Sequence, residues 1–230
     1  MRRGPGAEQF MTSSLPLLLA SASPRRRQIM TLLGLDFTTA ATSTDEEAIA
    51  DNFRGPLEEL AQWLAKRKAA AALALPEAQG RTVITADTTV LLDEQVLGKP
   101  RNKAHARELL LALRGRWHHV VTGIAVSGLI DGKRKMRSAS CITPVLMRRY
   151  DEAEIAAYIA TGDPMDKAGA YGIQHPKFQP TETIDGCYLN VVGLPVCVLV
   201  DLLAEFDIYP AKRGQNIEVG PCPWSARCQI

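Results

Sequence analysis

Residues 17–34 read LLLASASPRRRQIMTLLG, and the order of residue types in this stretch sets the class of the fold. The apolar run Leu17-Leu18-Leu19-Ala20 reads as a short buried strand. Ser23 followed by Pro24 reads as an N-cap and a first-turn proline, which open a helix expected over 24–33 and stopped at Gly34. Arg25, Arg26 and Arg27 then place three positive charges beside the positive end of the helix dipole, where cations are normally unfavourable. The free N–H groups of a helix that follows a strand form a ready anion site. Arg25 and Arg26 make sense there if a polyanion such as a triphosphate neutralises them, with the hydroxyls of Ser21 and Ser23 as further donors. A solvated basic turn with a good cap is the other reading this stretch leaves open.

Working outward, the elements alternate as in a mixed α/β chain. A short strand is expected around 36–41, followed by the acidic loop Thr42–Glu47. Pro56 opens a long helix over 57–75. The β-branched run Thr82–Leu92 reads as a strand turning at Asp93-Glu94-Gln95. A helix over about 102–113 stops at Gly115. Two alternating stretches, His118–Ser127 and Lys135–Arg148, join at Asp131-Gly132 and read as a β-hairpin. Asp151 and Glu154 form a capping box for a helix ending at Gly162. A last strand is expected near 187–192, and Pro195 opens a final apolar helix to about 206. Residues 1–14 read as a disordered leader in which Met11 is an alternative start, and 207–230 as a poorly ordered tail.

Composition narrows the function classes. The 230 residues, 46% hydrophobic and 23% charged, suit a globular protein with a sizeable core. The formal charge of +2 argues against a dedicated nucleic-acid binder, so any anion site must be local. No apolar run approaches the roughly 20 residues of a membrane span. The five cysteines form no CxxC pair and no zinc-type cluster, which fits a reducing cytoplasm. Cys187 and Cys197, in apolar surroundings, read as small core residues.

Three further stretches carry chemistry. In VITADTTVLLDEQVLGKP, residues 83–100, Asp87 interrupts an apolar strand, and a carboxylate there needs a cation or metal partner. It is suited to act as general base on a water or as a metal ligand, the bland reading being an Asp held by backbone donors. Lys99 stands on the tight turn Gly98-Lys99-Pro100, which is not a Walker A loop. Lys68 continues the apolar stripe Leu57, Leu60, Leu64 and either snorkels or points into a cleft at an anion. Asp45, Glu46 and Glu47 form either a solvated loop or a source of oxygen ligands for magnesium. In TGDPMDKAGAYGIQ, residues 161–174, Asp163, Asp166 and Lys167 crowd charge among three glycines, and Gln174 offers an amide able to read a base edge. His118 and His119 fall on opposite faces of a strand, which speaks against a two-histidine metal site. Nothing resembles a nucleophile–histidine pair.

Together, LLLASASPRRRQIMTLLGL, ADTTVLLDEQVLGKP, GDPMDKAGAYGIQ and NVVGLP resemble the Maf family of nucleoside triphosphate pyrophosphatases, from about Leu17 to Phe206. The resemblance implies an elongated, twisted mixed sheet flanked by helices, with two lobes around a nucleotide cleft inside a domain spanning 15–206. It implies hydrolysis between the α and β phosphates with a divalent cation, Mg²⁺ or Mn²⁺. Asp87 would be the proton acceptor and, with Glu46, a metal ligand. Arg25, Thr88 and Gln174 would select the substrate, and Lys68, Lys99 and Lys167 would line the cleft with them. The D-K-A-G-x-Y-x-I-Q form resembles the branch acting on dTTP and UTP, with modified pyrimidine nucleotides as a house-cleaning variant of that activity. After Gln174 the family often has Gly-Leu-Gly-Gly, whereas this chain has His175-Pro176-Lys177-Phe178. The resemblance also implies a homodimer. Because the family is associated with inhibition of septum formation, a non-enzymatic nucleotide-binding regulator is the alternative.

Overall fold

The computed structural model describes residues 16–42 and 49–210. The expected leader, Glu46 with most of its acidic loop, and the tail from residue 211 lie outside the described residues. Among the described residues there are seven strands: β1 (Leu17–Ala20), β2 (Phe37–Ala40), β3 (Thr82–Leu92), β4 (Gln95–Leu97), β5 (Trp117–Ile130), β6 (Lys133–Met147) and β7 (Thr181–Ile184). The α-helices whose bounds lie within the described residues are α1 (Pro24–Leu32), α2 (Leu57–Ala72), α3 (Lys103–Leu113), α4 (Glu152–Ala160), α5 (Tyr188–Val192) and α6 (Val196–Ala204). The strands form one mixed sheet in the order β2-β1-β3-β5-β6-β7, with β4 also paired to β3. β1 runs parallel to β2 and β3, and every other pairing is antiparallel. The α/β class and the mixed sheet expected from the sequence are therefore present.

Capping explains the helix starts. Ser23 Oγ accepts from the N–H of Arg26, and Asp151 with Glu154 forms a reciprocal capping box. The segment 187–192 corrects the sequence reading, because it is the short helix α5 and not a strand. Its run of apolar and β-branched residues suits either state at that length. Gly193 decides between them: its φ of 115° and its bonds to the carbonyls of Leu189 and Asn190 close a helical turn. The last strand is β7, a short segment that the sequence reading left unassigned.

The central strand β3 is buried on both faces, and its alternation sorts the cores. Ile84 and Ala86 pack with Leu17, Leu19, Ile29, Met30 and the apolar side of α6. Val90 and Leu92, on the same face, pack with α3, α4, Val120 and Met147 in a second core. Thr88 stands between them. Ile208 is buried with the first core, two residues beyond Phe206. On the opposite face α2 lies against Thr85, Asp87 and Leu91. It comes close because it presents Ala61, Ala65, Ala69 and Ala72, and because β5 has Gly123 beneath it. A Cβ on Gly123 would fall 2.3 Å from the backbone of Gln62.

Candidate active site

A gap in the pairing of β3 places the site. On one side β3 is paired continuously with β5 from Val83 to Leu91. On the other, β1 covers Thr82–Ile84 and β4 covers Val90–Leu92, so residues 85–89 face no strand among the described residues. A cavity of about 510 Å³ opens there, a size typical of small-ligand sites. Its wall is the β1–α1 turn and α1 start, the β3 edge, and the 163–176 loop. Because the gap cuts the strand edge, residues of both faces reach it: Asp87 from the α2 side and Thr88 from the side of the two cores.

Asp87 is 6% exposed and Lys68 7%, and the Lys68 ammonium donates to Asp87 Oδ1 in a buried ion pair. Of the two sequence readings of Lys68, snorkelling and pointing inward, the second holds. A buried charge pair of this kind is costly to desolvate, and removing one partner strands the other. Across the cavity Lys167, also buried, donates to Asp163 O at 2.6 Å, Asp163 Oδ1 at 2.9 Å and Asp166 Oδ1 at 2.7 Å. Its side chain crosses Gly172, where a Cβ would meet Lys167 Cε at 2.7 Å. Burial disfavours the charge on Asp163, but the Tyr158 hydroxyl and Lys167 outweigh it and hold the carboxyl below its ordinary range.

The three arginines divide. Arg25 is half-buried on the cavity wall, and Arg27 is exposed outside it. Arg26 turns inward: Nε donates to Gly193 O at 2.8 Å, Nη1 to Ala86 O at 2.8 Å, and Nη2 to Thr88 Oγ1 at 3.1 Å. Its guanidinium thus satisfies a carbonyl on the bare β3 edge. Ser21 Oγ accepts from Ser23 N–H, and both serines line the cavity. Lys99 and Gln174, more exposed, complete the lining. All the expected site residues that are among the described ones therefore border one cavity. Among the described residues of the lining, five cations (Arg25, Arg26, Lys68, Lys99, Lys167) face three carboxylates (Asp87, Asp163, Asp166), a formal excess of two positive charges.

Sequence reasoning missed several contributors. Thr122 and Asn190 back Thr88 through hydrogen bonds, and the only sequence signal was a lone amide in an apolar run. In the unusual 175–178 stretch, Phe178 stacks on Tyr158 with centroids 4.2 Å apart, which leaves His175 and Pro176 on the cavity rim.

His118 is buried and His119 exposed, on opposite faces as expected. The His118 Nε2 lies 2.6 Å from the Tyr171 hydroxyl. Burial lowers the His118 pKa from 6.5 to about 4, overcoming a backbone contact at Arg116 that favours the charge. The unfolded chain therefore takes up this proton below about pH 6.5 and the folded chain does not until about pH 4. Stability should fall as pH drops through that window, by up to about 3 kcal/mol. Denaturant melts at pH 7 and pH 5 check this: a His118→Phe variant should lose less stability between the two than the wild type does.

Fold and cavity together describe an α/β protein with a cationic cleft cut into the edge of its central strand. The sequence model of the Maf-like protein family matches residues 16–206, and the chain belongs to that family. A dTTP/UTP pyrophosphatase of Dehalococcoides mccartyi is 43% identical over 206 residues, 89% of this chain and 88% of that protein. Proteins of the same description from Thermomicrobium roseum and Yersinia pestis are 41% and 44% identical, over 83% and 86% of this chain and 84% and 96% of theirs. Among the described residues no helix is long and apolar enough to cross a membrane.

Proposed function

We propose that this chain is a nucleoside triphosphate pyrophosphatase that hydrolyses dTTP and UTP to the monophosphate and pyrophosphate. The observation that carries the reading is the buried Lys68–Asp87 pair inside a cavity whose described lining carries more cations than carboxylates. A triphosphate brings about four negative charges, so positioning and neutralisation supply most of the catalysis. The names of the relatives support the substrate class.

In this reading Asp87 orients a water and takes its proton as the water oxygen bonds to the α-phosphorus. The bond from that phosphorus to the bridging oxygen breaks, and pyrophosphate leaves. Lys68 aims Asp87 through their ion pair, and Arg25, Lys99 and Lys167 receive the charge of the leaving group with it. Lys167 then exchanges a carboxylate partner for phosphate oxygen. The oxygen donors on the Asp87 side of the cavity are its own carboxylate and the hydroxyls of Ser21 and Ser23, a set that suits a hard cation. Asp87, with Glu46 expected beside it, would hold Mg²⁺ or Mn²⁺ together with phosphate oxygens. Such a cation neutralises phosphate charge and polarises the phosphorus–oxygen bond. Residues 15–206 form the catalytic domain in this reading, in a cytoplasmic homodimer.

A pyrophosphate-release assay over natural and modified nucleoside triphosphates with Mg²⁺ tests it. Hydrolysis of dTTP and UTP at rates at least about tenfold above the purine nucleotides is expected, and no release from any of them overturns the reading.

A further inference from the structure

The hydroxyl chain behind Thr88 has a direction. Thr122 Oγ1 lies 2.9 Å from the backbone carbonyl of Asn190, which can only accept, so the Thr122 proton points there. Thr88 Oγ1 is 2.9 Å from Thr122 Oγ1, and two oxygens at that distance share one hydrogen. With the Thr122 proton committed, Thr88 supplies it. Arg26 Nη2, a donor only, sits 3.1 Å from Thr88 Oγ1 and takes one of its two acceptor positions. One lone pair of Thr88 is left for the cavity.

Asn190 fixes the far end of this chain. It is fully buried. Its Oδ1 accepts from Thr122 N–H at 3.1 Å, and its Nδ2 donates to Val120 O and Thr143 Oγ1, both at 2.9 Å. Neither Thr122 nor Asn190 lines the cavity.

We propose that Thr122 and Asn190 are positioning residues that lock Thr88 as a hydrogen-bond acceptor toward the cavity, so that this edge selects a ligand carrying a donor. The inference rests on the nucleotide reading and deepens it. A hydroxyl free to turn serves donors and acceptors alike, whereas one pinned at its proton serves donors only. Uracil and thymine carry an N–H at ring position 3, where cytosine carries a lone pair. The sugar 3′-hydroxyl is the other donor on the same ligands. A buried acceptor that faces a second lone pair, or no donor at all, loses its bond and its solvation together.

Steady-state kcat and KM for UTP, CTP and 2′,3′-dideoxy-UTP, with the wild type, Thr122→Val and Thr122→Ser, test the inference. If the base supplies the donor, wild-type kcat/KM favours UTP over CTP by about 100-fold and loss of the sugar hydroxyls costs little. If the sugar supplies it, the large penalty falls on the dideoxy nucleotide. In either case Thr122→Val releases the Thr88 proton. The penalty on the disfavoured nucleotide should then shrink by about tenfold, through KM more than kcat, while Thr122→Ser keeps the wild-type pattern. Thr122→Ala removes the same hydroxyl without adding a methyl and replaces Thr122→Val if that variant does not fold. A folded variant with unchanged discrimination overturns the inference, as does a wild type that treats all three nucleotides alike; hydrolysis of UTP in those cases leaves the nucleotide reading standing. A wild type that hydrolyses none of them overturns both.

Discussion

Asp87→Asn should lower turnover of the preferred nucleotide by about a thousandfold or more while nucleotide affinity stays within a few-fold of wild type. The amide keeps the shape and the oxygen that accepts from Lys68, but it cannot take a proton from water. Phosphate contacts at Arg25, Lys99 and Lys167 do not depend on it. A second effect follows from burial: Lys68 is 7% exposed and would lose the negative charge of Asp87. Breaking a buried pair from one side costs about 3–5 kcal/mol. Nucleotide should restore part of that loss, because its phosphates offer Lys68 new negative charge. Pyrophosphate release, equilibrium binding and thermal melts with and without nucleotide separate the three effects. Near wild-type turnover would remove Asp87 from its assigned role.

Gly123→Ala should damage both stability and catalysis although residue 123 does not line the cavity. Its Cβ would sit 2.3 Å from Gln62 Cα and N and 2.4 Å from Ala61 C, all backbone atoms of α2. Backbone cannot rotate aside as a side chain can, so the helix must lift. A cost of about 3 kcal/mol or more is expected, lowering Tm by roughly 10 °C. Gly123 pairs with Asp87 across the sheet, and Lys68 rides on the same helix. Lifting α2 therefore loosens the ion pair, and kcat should fall with Tm. A melt unchanged within a degree would show that α2 is not seated as described.

Much of this was legible in the sequence for local reasons. Ser23-Pro24, Asp151 with Glu154 and the β-branched run at 82–92 are signals carried by neighbours along the chain, and each became the expected element. That Arg25, Asp87, Lys99, Lys167 and Gln174 share one cavity was expected from the family resemblance that their motifs carry, not from any one stretch. What failed or went unseen depended on contacts far apart in the chain. The segment 187–192 is helical because Gly193 closes its last turn and because Asn190 reaches residues 120, 122 and 143. The inward turn of Arg26 needed the carbonyls of residues 86 and 193, which nothing near residue 26 announces. Lys68 shows the same limit, since its stripe fitted two orientations and only β3 beneath the helix chose between them.

The interrupted pairing of β3 has a consequence for solubility. A bare strand edge is a template on which another chain can add, and proteins usually shorten, charge or cover such edges. Here the bare backbone is interior: five residues wide, bracketed in the plane of the sheet by β1 and β4, and bonded by Arg26. An incoming strand finds no room to lie down there. The outer margins of the sheet are β2 and β7, four residues each, and the stretch of β6 from Lys133 to Thr143, which among the described residues has β5 on one side and no strand on the other. The gap in β3 thus admits only something smaller than a strand, while the long outer edge of β6 begins with Lys133, Arg134, Lys135 and Arg137, positive charges of the kind that keep an exposed edge from pairing.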